Sequence, residues 1–208
     1  MESVDTATTS LSLTDEELLM RYRETGQREH FAELVSRYEQ ELYNYLKRYL
    51  GHTELAEDAF QASFLQVHLK SDQFAAERRF RPWLYAIATN QAIDAQRRHR
   101  RQRTVSLDGM SGGNEGDERG SPANWMVSRE PSPGAKADAG ERDQSLRQAM
   151  NQLSGQMRLV IDLVYYQGLK YREAAEVMAV PVGTVKSRLH AAIAKLTEYW
   201  NQEYAETD

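Results

Sequence analysis

Cysteine is absent from this chain of 208 residues. The absence excludes a disulfide framework and a thiolate metal site, and it suits a reducing compartment. The five histidines form no pair at metal-binding spacing, and the sequence contains neither a phosphate-binding Gly-Lys loop nor a nucleophile motif. The sequence therefore predicts no metal and no cofactor, and it argues against an enzyme.

Long apolar runs are also missing. No stretch reaches the roughly 18 apolar residues that a membrane span needs, and the first residues lack a basic region followed by an apolar core. We therefore expect a cytoplasmic protein without membrane insertion or an export signal. No segment alternates with period two for long enough to make a strand, so the predicted fold is all-α.

An overall surplus of basic charge is the third absence, because the formal net charge is -5. This balance argues against a protein that coats nucleic acid indiscriminately. Basic residues are instead concentrated locally, since only Asp94 opposes eight arginines between positions 78 and 103. We expect such a protein to bind DNA weakly alone and to need a partner.

Helical periodicity dominates the N-terminal half. Thr14 begins a capping box with the glutamate three residues later, and Gly26 and Gly51 are typical of helix ends. Thr53 is predicted to cap a third helix, and Pro82 to lie in the first turn of a fourth. These signals predict helices over about 14–26, 28–50, 53–69 and 82–103.

A segment rich in Gly, Ser, Pro and acids then interrupts the periodicity, which resumes near Gln144. We interpret residues 104–142 as a flexible linker between helical domains at 14–103 and 143–200, with tails at 1–13 and 201–208. Trp125-Met126-Val127 lies in this linker. An isolated apolar cluster without a specific role is favoured there over an anchor for a partner.

Residues 169–196 have the pattern of a helix-turn-helix. A short helix is predicted from Tyr171 to Met178, Pro181 breaks the chain, and a second helix follows with apolar residues at three-to-four spacing. An ordinary helical hairpin with a solvated basic face is the alternative, and the DNA-reading interpretation is favoured over it. The polar face of the second helix carries Thr184, Lys186, Ser187, Arg188 and His190.

Three motifs in order resemble a known family. Residues 56–65 read AEDAFQASFL, residues 80–94 read FRPWLYAIATNQAID and are followed by Arg97-Arg98, and residues 183–189 read GTVKSRL. The chain thereby resembles the sigma-70 family of bacterial RNA polymerase specificity factors, in particular the small extracytoplasmic-function group that keeps only regions 2 and 4. The resemblance implies two small helical domains, the second ending in the helix-turn-helix.

The resemblance implies a polymerase-docking face on the third helix. In the family this face contacts the clamp helices of the largest polymerase subunit, and a phenylalanine fills a pocket there. An amphipathic core helix is the alternative, for which a carboxylate and an amide on the same face would be hard to explain. The residues assigned to this contact are Asp58, Gln61, Phe64 and Leu65.

The resemblance also implies two DNA contacts, one on each domain. For the -10 element, a loop around Phe74 would take a flipped base, Asn90 would pair with a base edge, and the arginine run would grip phosphates. Trp83 is more plausibly buried core. The -10 residues are Phe74, Arg79, Arg81, Trp83, Asn90, Asp94, Arg97 and Arg98, and the polar residues of the helix-turn-helix would read the -35 element.

The implied function is transcription initiation by binding core polymerase, recognising both elements and promoting DNA melting. The implied partners are core RNA polymerase, through its clamp helices and its flap, promoter DNA and an anti-sigma factor. The chain departs from the family at Ala191, where an arginine is frequent, and at Lys170, whose side chain cannot accept a capping hydrogen bond. The linker is also long and acidic for the group.

Two other functions fit parts of the sequence. One is an operator-binding regulator that acts without polymerase through its C-terminal module, with a ligand-sensing first domain. The other is a helical adaptor that sequesters a partner and keeps a vestigial helix-turn-helix. The Asp58 and Gln61 face discriminates against the first alternative, because an operator-binding regulator has no need of it.

Overall fold

The computed structural model describes residues 13–75, 77–107 and 148–205. These ranges contain helices and turns and no strand, as the sequence predicts. Residues 148–151 are helical, and a short 3-10 turn covers Ser71–Gln73. The α-helices are α1 (Asp15–Thr25), α2 (Arg28–Leu50), α3 (Thr53–Leu69), α4 (Phe80–Leu107), α5 (Gly155–Ile161), α6 (Tyr171–Met178) and α7 (Val182–Ala205).

The two ends of α1 follow local sequence signals. The Thr14 hydroxyl accepts a hydrogen bond from the Glu17 amide at 3.2 Å, and the Glu17 carboxylate accepts one from the Thr14 amide at 2.8 Å. Gly26 ends the helix at φ 67°, a left-handed conformation that glycine adopts without a Cβ clash. Gly51 ends α2 in the same way. The predicted capping box and both helix ends are confirmed.

Two helix starts differ from their predictions. The N-cap of α3 is His52, and Thr53 is already helical, so the predicted threonine cap is wrong by one position. α4 begins at Phe80, whose amide donates to the Glu16 carboxylate at 2.9 Å. Pro82 still lies in the first turn, where its missing N–H leaves no hydrogen bond unmade. A carboxylate from another helix therefore extends α4 beyond its local start signal.

Two helices also run past the predicted boundaries. α4 continues beyond residue 103 to Leu107, and α7 continues beyond residue 200 to Ala205. Arginine and glutamine favour helix, so the arginine-rich segment continues α4 instead of ending it. The predicted linker at 104–142 thus starts within α4. Most of it, including the Trp125-Met126-Val127 cluster, lies outside the described residues.

α6 and α7 form the predicted helix-turn-helix. α6 ends at Ala179, which adopts φ 51°. The Pro181 carbonyl then accepts hydrogen bonds from the amides of Thr184 and Val185 at 2.9 and 3.3 Å, which begins α7. Small side chains let the two helices approach closely. The residues buried within this pair are Ala174, Ala175, Val177, Val185, Leu189 and Ala192.

One π-helical turn, Asp162–Tyr166, connects α5 to the segment before α6. The Gln167 amide donates to the Asp162 carbonyl at 2.9 Å, and Gly168 follows at φ 64°. The turn places the side chains of Asp162 and Gln167 together, with Gln167 Nε2 at 3.3 Å from Asp162 Oδ1. Both side chains are buried.

The N-terminal domain (α1–α4) and the C-terminal domain (residues 148–205, with α5–α7) pack against each other. α6 lies against α4. Leu84 of α4 and Leu163 and Ala174 of the C-terminal domain belong to one continuous hydrophobic cluster. The sequence left the relation between the domains open, and the structure shows them in direct contact.

Candidate nucleic-acid interface

α3 has an exposed face of mixed chemistry. Asp58, Gln61 and Leu65 are all exposed on it, and Leu65 exposes 57% of its surface. Leu69, one turn further on, exposes 60%. Single exposed leucines are ordinary, but two of them one turn apart beside a carboxylate and an amide suit a protein partner. Leu69 was not among the residues predicted for this face, although its position four residues after Leu65 is a usable signal.

Phe64 does not belong to this face, which corrects the sequence-based assignment. Its side chain is buried, and its ring centroid lies 6.2 Å from that of Phe31 and 5.1 Å from that of Phe60. At about 100° per residue, Phe64 points about 120° away from Asp58, whereas Leu65 points only about 20° away. Leu65 is therefore the apolar residue of the face, and Phe64 is core.

Phe74 lies in a buried aromatic cluster instead of at the surface of its loop. Its ring centroid is 5.0 Å from that of Trp83 and 6.2 Å from that of Phe80. Arg23 Nη1 donates to the Phe74 carbonyl at 3.1 Å and fixes the loop from the side of α1. The buried Phe74 side chain is therefore not available to a flipped base, which corrects its assignment as a -10 contact. Trp83 is buried, as the sequence analysis preferred.

The two arginines at the start of α4 have different surroundings. Arg79 is exposed, whereas Arg81 Nη2 lies 3.2 Å from the Glu41 carboxylate and its guanidinium lies over the Tyr85 ring at 5.7 Å. Burial alone would lower the pKa of Arg81, but Glu41 and Tyr85 raise it above its ordinary value. Arg81 is thus engaged within the protein, which corrects its assignment as a free DNA contact.

Further along α4, the predicted DNA-facing side chains lie together on an accessible surface. Four exposed side chains follow one another at spacings of four, three and one residues, which places them on one side of the helix. They are Asn90, Asp94, Arg97 and Arg98. Arg97 Nη1 lies 3.9 Å from Asp94 Oδ1, and an exposed pair at this distance contributes little stability. This face therefore retains its charges and its amide for an external ligand.

The start of α7 presents most of the predicted reading face. Lys186, Ser187 and His190 are exposed, and Thr184 is half-buried. The Ser187 hydroxyl donates to the Thr184 carbonyl at 3.1 Å. Arg188 is half-buried, and its Nη1 has no hydrogen-bond partner among the described residues. The protein therefore partly covers the charge of Arg188 and leaves that of Lys186 accessible.

A buried set of polar side chains, which we call the interdomain bridge, joins the two domains through Arg48, Tyr85, Asp162 and Gln167. Arg48 donates from Nη2 and Nε to Asp162 Oδ1 at 2.9 and 3.2 Å. The Tyr85 hydroxyl donates to Gln167 Oε1 at 2.7 Å. Burial raises the pKa of Asp162 to about 6, against the opposing effect of Arg48. No local pattern signals the bridge, because the paired charges lie 114 residues apart.

The described ranges contain no group of three or more histidine, aspartate or glutamate side chains placed to hold a metal ion. Within the same ranges, no helix is both long and apolar enough to cross a membrane.

Comparisons with known proteins match both domains. The family model for Sigma-70 region 2 matches residues 34–102, and that for Sigma-70 region 4 matches residues 143–196. The ECF RNA polymerase sigma factor SigW of Bacillus subtilis is 33% identical over 79% of this chain and 86% of its own length. The ECF RNA polymerase sigma-E factor of Haemophilus influenzae is 30% identical over 86% of this chain and 92% of its own length.

Solved structures show the same fold. CnrH, solved in complex with the cytosolic domain of CnrY, superposes with a TM-score of 0.62 and 22% identity, covering 90% of this chain and 97% of CnrH. The sigma factor RpoE of Bartonella quintana, solved with the anti-sigma factor NepR, gives a TM-score of 0.60 and 23% identity over 84% of this chain and 98% of RpoE. With two family models in order and full-length relatives at these identities, the chain belongs to the sigma-70 family, as an extracytoplasmic-function sigma factor.

Proposed function

We propose that this sigma factor binds core RNA polymerase through the exposed face of α3 and directs it to promoters through α4 and α7. One observation carries the proposal. The chain has an accessible polar face on α4 and a helix-turn-helix at α6 and α7, and both lie in the segments that match regions 2 and 4. Each domain thus contributes one DNA-reading surface to initiation.

The polymerase contact is assigned to Asp58, Gln61, Leu65 and Leu69. The leucines supply apolar area, and the carboxylate and amide supply hydrogen bonds that fix the register of a docked helix. The partner surface would be the clamp helices of the largest subunit, and the C-terminal domain would contact the flap. Because all four side chains are already exposed, docking needs no rearrangement of α3.

On α4, the exposed face would hold the opened -10 element. Arg97 and Arg98 would grip phosphates, and the Asn90 amide would make paired hydrogen bonds to a base edge. A base removed from the stack loses about 1 to 3 kcal/mol, which contacts to the single strand must offset. With Phe74 and Trp83 buried, those contacts would come from polar groups on α4 and from Arg79.

On the second domain, α7 would lie in the major groove of the -35 element. In this geometry the first residues of the second helix reach base edges, which suits the exposed Lys186 and Ser187. A lysine can donate hydrogen bonds to the acceptor atoms of guanine, whereas a serine hydroxyl can form a hydrogen bond with more than one type of base. Thr184, Arg188 and His190 would supply phosphate or neighbouring base contacts.

An anti-sigma factor is the proposed inhibitory partner, and the cytoplasm is the proposed location. CnrH was solved with the cytosolic domain of CnrY, and RpoE of Bartonella quintana with the anti-sigma factor NepR. Promoter DNA and core polymerase are cytoplasmic in bacteria, so a sigma factor would act there. No reaction is assigned to this chain, since the role of a sigma factor is binding.

The operator-binding alternative is not favoured. It would leave α3 without a function, although Asp58, Gln61 and two leucines are exposed there together. The adaptor alternative would not require the exposed polar face on α4 or Lys186 at the start of α7. A polymerase-binding experiment separates the proposal from both alternatives.

The test is the double variant Asp58→Arg with Gln61→Ala. We expect it to lose co-purification with core polymerase and promoter-specific transcription in vitro, while its helical circular dichroism is unchanged. The matched control is Glu39→Arg with Gln40→Ala, which makes the same kinds of change at exposed positions of α2. Core binding at the wild-type level by the α3 variant would remove the docking assignment.

A further inference from the structure

The first helix holds the loop that joins α3 to α4, which we call the α3–α4 loop (residues 70–79), at two backbone positions. Arg23 Nη1 donates to the Phe74 carbonyl within the loop at 3.1 Å. The Glu16 carboxylate accepts a hydrogen bond from the Phe80 amide, directly after the loop, at 2.9 Å. Each bond includes a charged side chain, which makes it stronger than a bond between neutral groups. α1 therefore anchors the loop on both sides of its exposed part.

α1 is itself firmly placed, so it can act as an anchor. Leu18 and Leu19 are buried in the core. The Tyr22 ring centroid lies 4.9 Å from that of Phe31, and the Tyr22 hydroxyl lies 2.7 Å from His68 Nδ1 near the end of α3. These contacts tie α1 to both α2 and α3, and close packing leaves it little freedom to move relative to them.

Between the two anchors, the loop turns and exposes basic side chains. The Arg78 amide donates to the Ala75 carbonyl at 3.0 Å, which closes a turn directly after the buried Phe74. Arg78 and Arg79 are exposed. Within the described part of the chain, Arg79 forms no ion pair that would hold its side chain. The position of Arg79, the loop residue that would contact the -10 element, therefore depends on the backbone of the loop.

The anchors lie outside the motifs that carry the family resemblance. α1 ends at Thr25, whereas the match to the region 2 model begins at residue 34. Arg23 and Phe74 are 51 residues apart, and Glu16 and Phe80 are 64 apart. The role of α1 toward the loop is therefore visible only in the tertiary structure.

We propose that Arg23 and Glu16 are positioning residues for recognition of the -10 element, which fix the α3–α4 loop without touching DNA. This inference rests on the proposed function of the loop and of α4. A loop that is already ordered loses less conformational entropy on binding, so its contacts contribute more to affinity and to discrimination between bases. Loss of an anchor should therefore weaken base preference at the -10 element and leave the -35 contacts of α7 unchanged.

Amide hydrogen exchange in the free, full-length protein tests the anchor itself. In Arg23→Ala, the hydrogen-bonded amides of Phe74 and Arg78 should exchange at least about 10-fold faster, because a bond to a charged group no longer opposes local opening. Arg21→Ala is the matched control, since it removes an exposed arginine from α1 about 200° around the helix from Arg23. Unchanged exchange at both amides in Arg23→Ala would overturn the anchor.

Base preference of the holoenzyme is the readout that a purely structural role would not move. The template is a promoter on which the wild-type holoenzyme initiates, randomised at the -10 positions in one pool and at the -35 positions in another. A wrong base at a well-read position normally weakens binding by about 5- to 150-fold. In Arg23→Ala this penalty should shrink at least about 5-fold at one or more -10 positions. Preference at -35 and affinity for core polymerase should stay as in the wild type.

Two outcomes of the template experiment would overturn the positioning role. One is an unchanged -10 preference in a variant whose loop amides exchange faster. The other is an equal loss of preference in both pools, which would mean general damage to the protein.

Glu16 provides a second pair of variants, which keeps the test decisive if Arg23→Ala folds poorly. Glu16→Gln retains an oxygen that can accept the hydrogen bond from the Phe80 amide, whereas Glu16→Ala removes it. The alanine variant should lose -10 preference and protection of the Phe80 amide, and the glutamine variant should keep most of both. Equal behaviour of the two variants would overturn the assignment of Glu16.

Failure of this inference and failure of the proposed function give different results. If the wild type neither binds core polymerase nor supports promoter-specific transcription, the sigma function fails and the -10 role fails with it. The exchange rates of the Phe74 and Arg78 amides still decide whether α1 anchors the loop. A wild type that transcribes, together with anchor variants that keep their -10 preference, leaves the function intact and removes the positioning role.

Discussion

Adjacent residues of α3 have opposite roles, and a rotation of about 100° along the helix is enough to explain this. Phe64 fills the core beside Phe31 and Phe60, and Leu65 is exposed. The family motif contains both residues, so the motif alone does not assign either one. Only the packing of α3 shows which side chain a partner can touch.

Replacing these two residues should separate stability from polymerase binding. Phe64→Ala is expected to lower the free energy of unfolding by about 3 to 5 kcal/mol, because it leaves a cavity in the core. Leu65→Ala should change it by less than about 0.5 kcal/mol and should weaken binding to core polymerase. Urea denaturation and a core-binding titration measure the two effects. Equal losses of stability in both variants would contradict the assignment.

Lys186 is the residue of α7 best placed to read a base, since it is exposed near the start of the helix. Lys186→Ala is expected to cost about 1 to 3 kcal/mol of promoter binding and to relax preference at one position of the -35 element. Lys195→Ala is the matched control, because nine residues turn the side chain about 180° to the opposite face. Holoenzyme binding to a set of single-base promoter variants measures the effect. A uniform, salt-dependent loss over all sequences would assign Lys186 to phosphate instead.

At the scale of elements, helix ends with a local cause were predictable and those with a distant cause were not. The capping box of Thr14 and the left-handed Gly26 depend on neighbours within a few residues. The start of α4 at Phe80 depends on Glu16, which lies 64 residues away. Among the apolar residues of α7, Ala192 is buried, whereas its neighbour Ile193 exposes 41% of its surface, and only the packing of the helix distinguishes the two.

The turn between α6 and α7 contains the one non-glycine residue with a positive φ in the described ranges, Ala179 at φ 51°. Its Cβ is unfavourable in this conformation by about 1 to 2 kcal/mol, whereas glycine adopts it freely at some entropic cost. Ala179→Gly is therefore expected to raise the free energy of unfolding by about 0.5 to 1 kcal/mol. Urea or thermal denaturation measures this free energy. The control is Ala194→Gly, on the exposed side of α7, which is expected to lower the free energy of unfolding by about 1 kcal/mol. A destabilised Ala179→Gly variant would contradict the strain argument.

At the scale of the whole molecule, the local arginine run of α4 lies in a protein whose net charge is negative. The net charge of -5 weakens the attraction of the free protein for DNA. Core polymerase would hold the domains at the promoter spacing and make the second contact a local event with a high effective concentration.

The closed arrangement, in which the two domains are in contact, is expected to be favoured at mildly acidic pH over an open one, in which they are separated. Burial raises the pKa of Asp162 from its ordinary 3.8 to about 6 in the closed protein, and opening would restore the ordinary value. A raised pKa means that the closed form binds the proton more tightly, so closure gains as pH falls below about 6 and loses as pH rises through it. Between pH 7.5 and pH 5 the closed-to-open ratio should rise about tenfold, as measured by the interdomain distance.

Asp162→Asn provides the control for this pH effect, since it keeps the shape of the side chain and removes the titrating group. The other ionisable groups facing Asp162 are Arg48 and Tyr45, and burial raises the pKa of Tyr45 well above its ordinary value. Tyr45 therefore stays uncharged in this range. The asparagine variant should therefore lose the tenfold change, and an unchanged pH dependence would exclude Asp162 as its source.

The sequence by itself determined the all-α fold, the helix-turn-helix and the polar faces of α3, α4 and α7, because periodicity, caps and motifs act within one or two helical turns. Tertiary structure decided which members of each motif are accessible. It buried Phe64, Phe74 and Trp83, and it paired Arg81 with Glu41. It alone created the bridge of Arg48 and Asp162, since only folding brings together charges 114 residues apart and removes them from water.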